Sequence, residues 1–289
     1  DAARRLVAVL DGPGAPARGT TRPDENGPWA LAADGVCAGW PGRPAALTGV
    51  DLCLPPGTVV AVTGASGSGK STLLLTLAGL LPPRRGRVTL DGTDLADLDP
   101  AALRRAVHLT AEDAHVFGTT VAENLRVAAG AVTDDVLVDA VQTAGLGPWL
   151  ASLPAGLETV LAPGGTDLSG GERRRLLVAR ALLTGARTLL VDEPTEHLDP
   201  ATADALVRDL VAACRRTGRS LVVVTHRLTG LDDVDEVLEV VGGRLVAQPS
   251  SAYVTAASTS IAAPSARSLS ASGTGSASSA SRPGTRLTS

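Results

Sequence analysis

The segment Gly64-Ala65-Ser66-Gly67-Ser68-Gly69-Lys70-Ser71-Thr72 stands between the apolar runs Val59 to Val62 and Leu73 to Leu77. A strand, a glycine loop and a helix in that order form a phosphate cradle. The glycines let successive backbone N–H groups turn inward around phosphates, Lys70 can reach the terminal ones, and the Ser71 hydroxyl can sit on a magnesium ion. Gly64, Ser66, Gly67, Ser68, Gly69, Lys70, Ser71 and Thr72 are therefore candidate binding residues for a nucleoside triphosphate.

A second chemical element is Leu189-Leu190-Val191-Asp192-Glu193, an apolar strand delivering two carboxylates at its C-terminal edge, where α/β sheets hold ligands. Strand alternation sends them in different directions: Asp192 toward the metal, Glu193 toward a water in line with the terminal phosphate, as general base. His226 ends the buried run Leu221 to Val224 at the same edge, where an imidazole can bond the terminal phosphate and orient that water. The plain alternative is polar capping of strand ends. His108, His115 and His197 share no metal spacing. Leu168-Ser169-Gly170-Gly171-Glu172 leads into a helix and offers a second anion site, with an ordinary glycine-rich cap as its alternative. Two phosphate-binding elements with one loop lysine suggest that the second serves another molecule's nucleotide, in a dimer with ATP at the interface.

These residues need elements to position them. Ala30 to Trp40 and Leu47 to Leu54 read as strands around the turn Pro41 to Pro44, Val59 to Val62 as the strand before the loop, and Ser71 to Leu80 as the helix after it. Val88 to Leu90 and Val107 to Leu109 are short strands, and Asp99-Pro100 opens a helical turn ending near Leu103. From Thr120 to about Leu161 apolar residues recur every three or four positions, giving a helical insert. Helices over Arg173 to Leu183 and Thr202 to Arg215 then alternate with the buried strands Thr188 to Val191 and Leu221 to Thr225, which predicts a parallel sheet covered on both faces. Val237 to Val241 and Arg244 to Ala247 pair around Gly242-Gly243. Asp1 to Leu10 has the mixture of a helix end, Asp11 to Pro28 reads as a linker, and the Ser/Thr/Ala-rich residues from 248 to 289 as a disordered tail.

A formal charge of −4 over 289 residues gives no support for a nucleic-acid surface. Cys37, Cys53 and Cys214 are too scattered for a disulfide framework or zinc site and read as buried thiols in a reducing compartment. No apolar run approaches the roughly 18 to 20 residues that cross a bilayer. A start at Asp1, without methionine, is expected of a piece of something longer.

Taken together, the phosphate loop, Leu168 to Glu172, Leu189 to Glu193, Glu196-His197-Leu198-Asp199 and His226 resemble, in order and spacing, the nucleotide-binding domain of an ABC transporter. The resemblance covers about residues 30 to 247. It implies an α/β P-loop NTPase of ABC type, with a mostly parallel core sheet, an antiparallel N-terminal β portion and a helical subdomain at about 120 to 175 within a domain spanning 29 to 247. It implies ATP and Mg2+ as cofactors, with Ser71, Glu112 and Asp192 around the metal and Glu193, His226 and Glu112 in hydrolysis. Trp40 matches the aromatic residue that stacks on adenine, Asp199 the loop crossing between two domains, and Ser169, Gly170, Gly171 and Glu172 the signature that caps a partner's nucleotide.

Val116-Phe117-Gly118-Thr119-Thr120-Val121-Ala122-Glu123-Asn124-Leu125 is similar to the exporters' segment after the coupling loop. Ala111 to Phe117 and Asp192 to Asp199 look most like the CydC subunit of heterodimeric CydDC cysteine/glutathione exporters. That likeness implies a transmembrane domain in the same parent chain, residues 1 to 28 as the end of its last helix and a linker, and a CydD-like partner subunit. It further implies a thiol cargo held by the membrane domains, support of cytochrome bd assembly, and the cytoplasmic face of the bacterial inner membrane. A drug, lipid or peptide exporter and a weakly hydrolysing regulatory ABC module are the alternatives. Two positions depart from the family: Glu112 replaces the usual glutamine, adding charge beside the triphosphate, and Pro163 replaces a glutamate before the signature.

Overall fold

The computed structural model describes residues 19–23, 29–111, 114–196, 198–227 and 229–248. The expected helix end, most of the linker and the expected tail beyond Gln248 lie outside these residues; Gln248 itself, expected in the tail, pairs with Val237 at the end of a strand. Of the linker, Gly19 donates its amide to Ala96 O (3.2 Å) and Thr21 bridges to Leu98.

The chain opens with strands β1 (Leu31–Ala38) and β2 (Leu47–Leu54). β1 stops short of Trp40, which begins a turn closed by Arg43 N donating to Trp40 O (3.1 Å). Strand β3 (Val59–Thr63) feeds the glycine loop and helix α1 (Lys70–Leu77), which is shorter than the sequence expectation because Gly79 turns the backbone left-handed at φ 69°. Strands β4 (Arg85–Leu90) and β5 (Thr93–Asp94) follow. Helix α2 (Pro100–Ala106) is capped by Asp99, whose carboxylate accepts from Ala102 N at 2.9 Å, and leads into β6 (Val107–Thr110).

The insert consists of α3 (Val121–Ala129), α4 (Asp134–Thr143) and the short α5 (Gly147–Ser152). Its helices α3 and α4 lie against α6 (Gly170–Leu183). Helix α6 begins three residues before the expected Arg173 because Ser169 forms the cap. The remaining elements are β7 (Thr188–Asp192), α7 (Pro200–Thr217), β8 (Ser220–Val224), β9 (Glu236–Val241) and β10 (Arg244–Gln248).

Two sheets result. The first is antiparallel, in the order β2-β1-β4-β5; the second runs β10-β9-β3-β8-β7-β6, parallel throughout except for the β9–β10 hairpin. This is an α/β P-loop NTPase fold, with a mostly parallel core sheet, antiparallel N-terminal strands and a helical subdomain.

Strands β3, β7 and β8 are buried along their whole length, so alternation divides one sheet between two cores. Val59, Ala61, Leu189, Val191, Leu221 and Val223 face the helices α6 and α7 and the insert. Val60, Val62, Leu190, Val222 and Val224 face α1 and the antiparallel sheet. Helix α7 buries Ala203, Leu206, Val207, Leu210, Val211 and Cys214, a helical stripe on the first of these faces. The sheet's C-terminal edge, carrying the glycine loop, Asp192 and Thr225, is thereby fixed from both sides.

Candidate active site

The glycine loop owes its path to backbone that only glycine adopts cheaply. Gly64, Gly67 and Gly69 have φ of 140°, 76° and 114°, and a Cβ on Gly64 would meet Ser68 Oγ and Val240 O, each at 2.9 Å. Lys70 opens α1 and is buried, its ammonium donating to the carbonyls of Gly64 (2.9 Å) and Ala65 (3.0 Å). Ser68 Oγ is buried without a hydrogen-bond partner among the described residues.

The carboxylates do not diverge by strand alternation, as the sequence suggested. Strand β7 ends at Asp192, and Glu193 swings away on a left-handed backbone, φ 46°, one of two such non-glycine residues among those described. That conformation costs on the order of 1–2 kcal/mol. It aims the Glu193 carboxylate at an imidazole and an ammonium: Oε1 lies 2.7 Å from His226 Nε2 and 3.9 Å from Lys70 Nζ. The imidazole expected to meet a phosphate thus rests on Glu193, at the mouth of the cleft, where it is half exposed.

Asp192 is buried, and its Oδ1 has no partner among the described residues. Burial raises its carboxyl above the usual carboxylate range, a hydrogen bond from Ser71 offsetting only part of the effect. A buried carboxylate oxygen in need of a partner, beside a hydroxyl at the start of α1, is a donor set suited to a hard cation such as Mg2+. Glu112, the third expected ligand, lies outside the described residues.

Most of these groups, though not Gly64, Ser68 or Asp192, line one cleft of about 540 Å3, within the ~300–1,000 Å3 range of small-ligand sites. Ser66, Gly67, Gly69, Lys70, Ser71 and Thr72 line it together with Glu193, His226 and Trp40. Trp40 is 52% exposed, so its ring is available to stack on a base rather than spent in the core.

Ser169, Gly170, Gly171, Glu172 and Asp199 do not line this cleft. Ser169 caps α6 in a reciprocal box: Glu172 N donates to Ser169 Oγ (3.2 Å) and Ser169 N donates to Glu172 Oε2 (2.8 Å). The Glu172 carboxylate is occupied there, which leaves the exposed Ser169 and Gly170 as the free face of the motif. A side chain at Gly171 would collide with Leu198, Cβ to Cδ2 at 2.6 Å. Asp199 caps α7, accepting from Thr202 N at 3.1 Å, and bonds from Thr202 hold its carboxyl below the usual range.

Sequence reasoning gave no role to Glu196, which also lines the cleft, nor to Arg174 on α6, buried and donating to Glu196 Oε2 at 2.5 Å. The pair joins the helix behind the signature to the loop after Glu193. No local pattern marks it, because its partners are 22 residues apart. Nor does the sequence mark Arg180, buried on α6, which donates to Asn124 O (2.7 Å), Asn124 Oδ1 and His115 O and lies 5.4 Å from the Phe117 ring centroid. Burial, with Arg173 nearby, lowers its guanidinium to about 10. Pro163 packs on Gly118, where a Cβ would meet its Cγ at 2.9 Å.

The ABC transporter family profile matches residues 47–196. The mycobactin import ATP-binding/permease protein IrtB of Mycolicibacterium thermoresistibile is 43% identical over 243 residues, covering 84% of this chain and 41% of the relative. The glutathione/L-cysteine transport system ATP-binding/permease protein CydC of Escherichia coli is 37% identical over 211 residues, 73% of this chain and 36% of the relative. A bacterial Atm1-family ABC exporter with ATP bound superposes with a TM-score of 0.77 at 27% identity, over 88% of this chain and 45% of that one. The chain spans less than half the length of each of these proteins. With its phosphate loop, paired carboxylates and cleft, the chain belongs to the ABC transporter family and is an ATPase domain of that family.

Proposed function

We propose that this domain is one half of an exporter-type ATP motor: Lys70 and the loop amides hold the triphosphate, Trp40 the adenine, and Glu193 draws the proton from the attacking water. Mg2+ held by Ser71 and Asp192 would neutralise phosphate charge. His226, bonded to Glu193, orients that base and turns to the terminal phosphate when ATP is present. The observation that carries the reading is the convergence of Lys70, Glu193 and His226 within 3.9 Å contacts at one cleft. Ser169 and Gly170, exposed and outside that cleft, are left to cap a partner's nucleotide, so hydrolysis needs a second half, held close by a transmembrane domain of the parent chain. In that setting the domain works at the cytoplasmic face of the bacterial inner membrane.

ATPase rate measured against protein concentration, then with the partner half added, tests this. A steep rise is expected. A fast, concentration-independent rate from a demonstrated monomer would overturn the shared site.

For cargo, the reading from Ala111 to Phe117 and Asp192 to Asp199 is cysteine or glutathione export with a CydD-like partner and support of cytochrome bd assembly. The thiol would contact the membrane domains rather than this one. A second reading, mycobactin transport, is favoured by the 43% identity to IrtB. Inverted vesicles bearing the parent transporter should accumulate labelled glutathione or cysteine under the first reading. ATP-driven release of preloaded mycobactin from the same vesicles, with no thiol accumulation, would support the second.

A further inference from the structure

Strand β7 connects two very different ends. Its C-terminal edge presents Asp192; roughly 13 Å back along the strand, its start adjoins a cavity of about 530 Å3 that shares no lining residue with the nucleotide cleft. The walls are the last turn of α2, with Arg104 and Arg105, the beginning of β6 at His108, the end of α3, and the link 184–187 between α6 and β7. Arg187 stands on this link, its guanidinium 5.6 Å above the ring of the buried Trp29.

Among the described residues the lining contains no carboxylate. Arg104, Arg105 and Arg187 make no ion pair or side-chain hydrogen bond among the described residues, in a chain whose formal charge is −4. Burial holds the His108 imidazole below its usual range, so the cations here are the guanidiniums. Uncompensated like charges around a concave surface focus a positive potential that an anion relieves.

The frame is rigid as well as charged. Arg187 N donates to Ala106 O (3.1 Å), Ser220 N donates to Arg187 O (2.8 Å), and the Trp29 stack fixes the guanidinium above it. Preorganised guanidinium forks match phosphate oxygens. Trp29 is only 7% exposed and already covered by Arg187, which leaves no aromatic face for a nucleobase.

We propose that this cavity is a second ligand site, distinct from the nucleotide cleft, for a compact small anion bearing phosphate groups. Inorganic pyrophosphate is the probe, titrated calorimetrically into the full chain carrying Lys70→Ala, which silences the phosphate loop. Saturable binding is expected, weakening as salt rises. Replacing the exposed pair Arg104→Ser and Arg105→Ser should reduce affinity about tenfold or more, and the two-lysine version should restore part of it. Absence of saturable heat with millimolar pyrophosphate in the Lys70→Ala chain would overturn the proposal. So would binding that the arginine pair does not influence.

Discussion

Glu193 combines a strained backbone with a carboxylate held between Lys70 and His226, and its substitution separates binding from chemistry. Glu193→Gln keeps the shape and a hydrogen bond to His226 but cannot accept the water's proton, so turnover should drop by about 10²- to 10⁴-fold while ATP still binds. Lys70→Ala should instead weaken binding itself, since the only ammonium lining the cleft is gone. Single-turnover hydrolysis and equilibrium ATP titration, made with the partner's second site silenced, distinguish the two; near-normal turnover in Glu193→Gln would remove it from the role of base. Trp40→Ala should weaken ATP binding by about 1 kcal/mol and leave the melting temperature nearly unchanged, because the ring is exposed. A large loss of stability with unaltered ATP affinity would instead assign Trp40 to packing. The residue types at this site were legible in the sequence because glycine loops and paired strand-end carboxylates are local patterns. The left-handed turn that aims Glu193 was not, since it runs against the residue's own preference and its amide is held by Val224 O at the end of β8 (3.1 Å). Arg174 and Glu196 escaped notice for a related reason: their contact exists only once α6 and the loop after β7 have packed.

At the scale of elements, β3 must arrive in register for the glycine loop to sit at the sheet edge, and one carboxylate ties its start. Asp235, just before β9, accepts from Val59 N (2.7 Å) and from Arg215 near the end of α7 (2.8 Å), joining the start of the loop-bearing strand to that helix. Burial, the largest single influence, raises this carboxyl, but the bonds from Arg215 and Val59 outweigh it and leave it below the usual range. A depressed folded value means stability that is fully present above the unfolded value, about 3.9, and is lost as pH falls through the folded one. Asp235→Asn retains an acceptor for Val59 and loses the charge. It should cost no more than about 1 kcal/mol at neutral pH, since the Arg215 pair is partly hydrated, and the gap from the parent should close in acid. Denaturant melts of both chains between pH 3 and pH 7, roughly the window set by ordinary carboxylates, check the sign; a gap that widens in acid would contradict it. The order of strands and helices was legible here from alternating apolar runs. Element ends were less so: α6 started early because Ser169 and Glu172 close a box across it, and β1 ended before Trp40 because the turn takes over there.

Over the whole molecule, the two cores share one sheet, so opening either face exposes the other side of the same strands, and the cysteines report whether the domain unfolds as a unit. Cys214 is fully buried on α7 among the helices of the first core, while Cys53 is exposed on β2 of the antiparallel sheet. Burial pushes the Cys214 thiol up to about 11, against a downward pull from Arg219 and Arg215. At neutral pH its thiolate is therefore scarcer than that of an ordinary cysteine by on the order of 100-fold, before access is even considered. Iodoacetamide should label Cys53 quickly in the folded chain and Cys214 only through unfolding, at a rate that climbs with urea along the same curve as the loss of helix measured by circular dichroism. Mass spectrometry of tryptic fragments resolves the two sites. Agreement of the two curves would establish that the helical face and the nucleotide edge melt together, as a sheet shared between both cores requires. Labelling of Cys214 at urea concentrations that leave the circular dichroism unchanged would instead show α7 opening by itself, with the strands it covers still assembled.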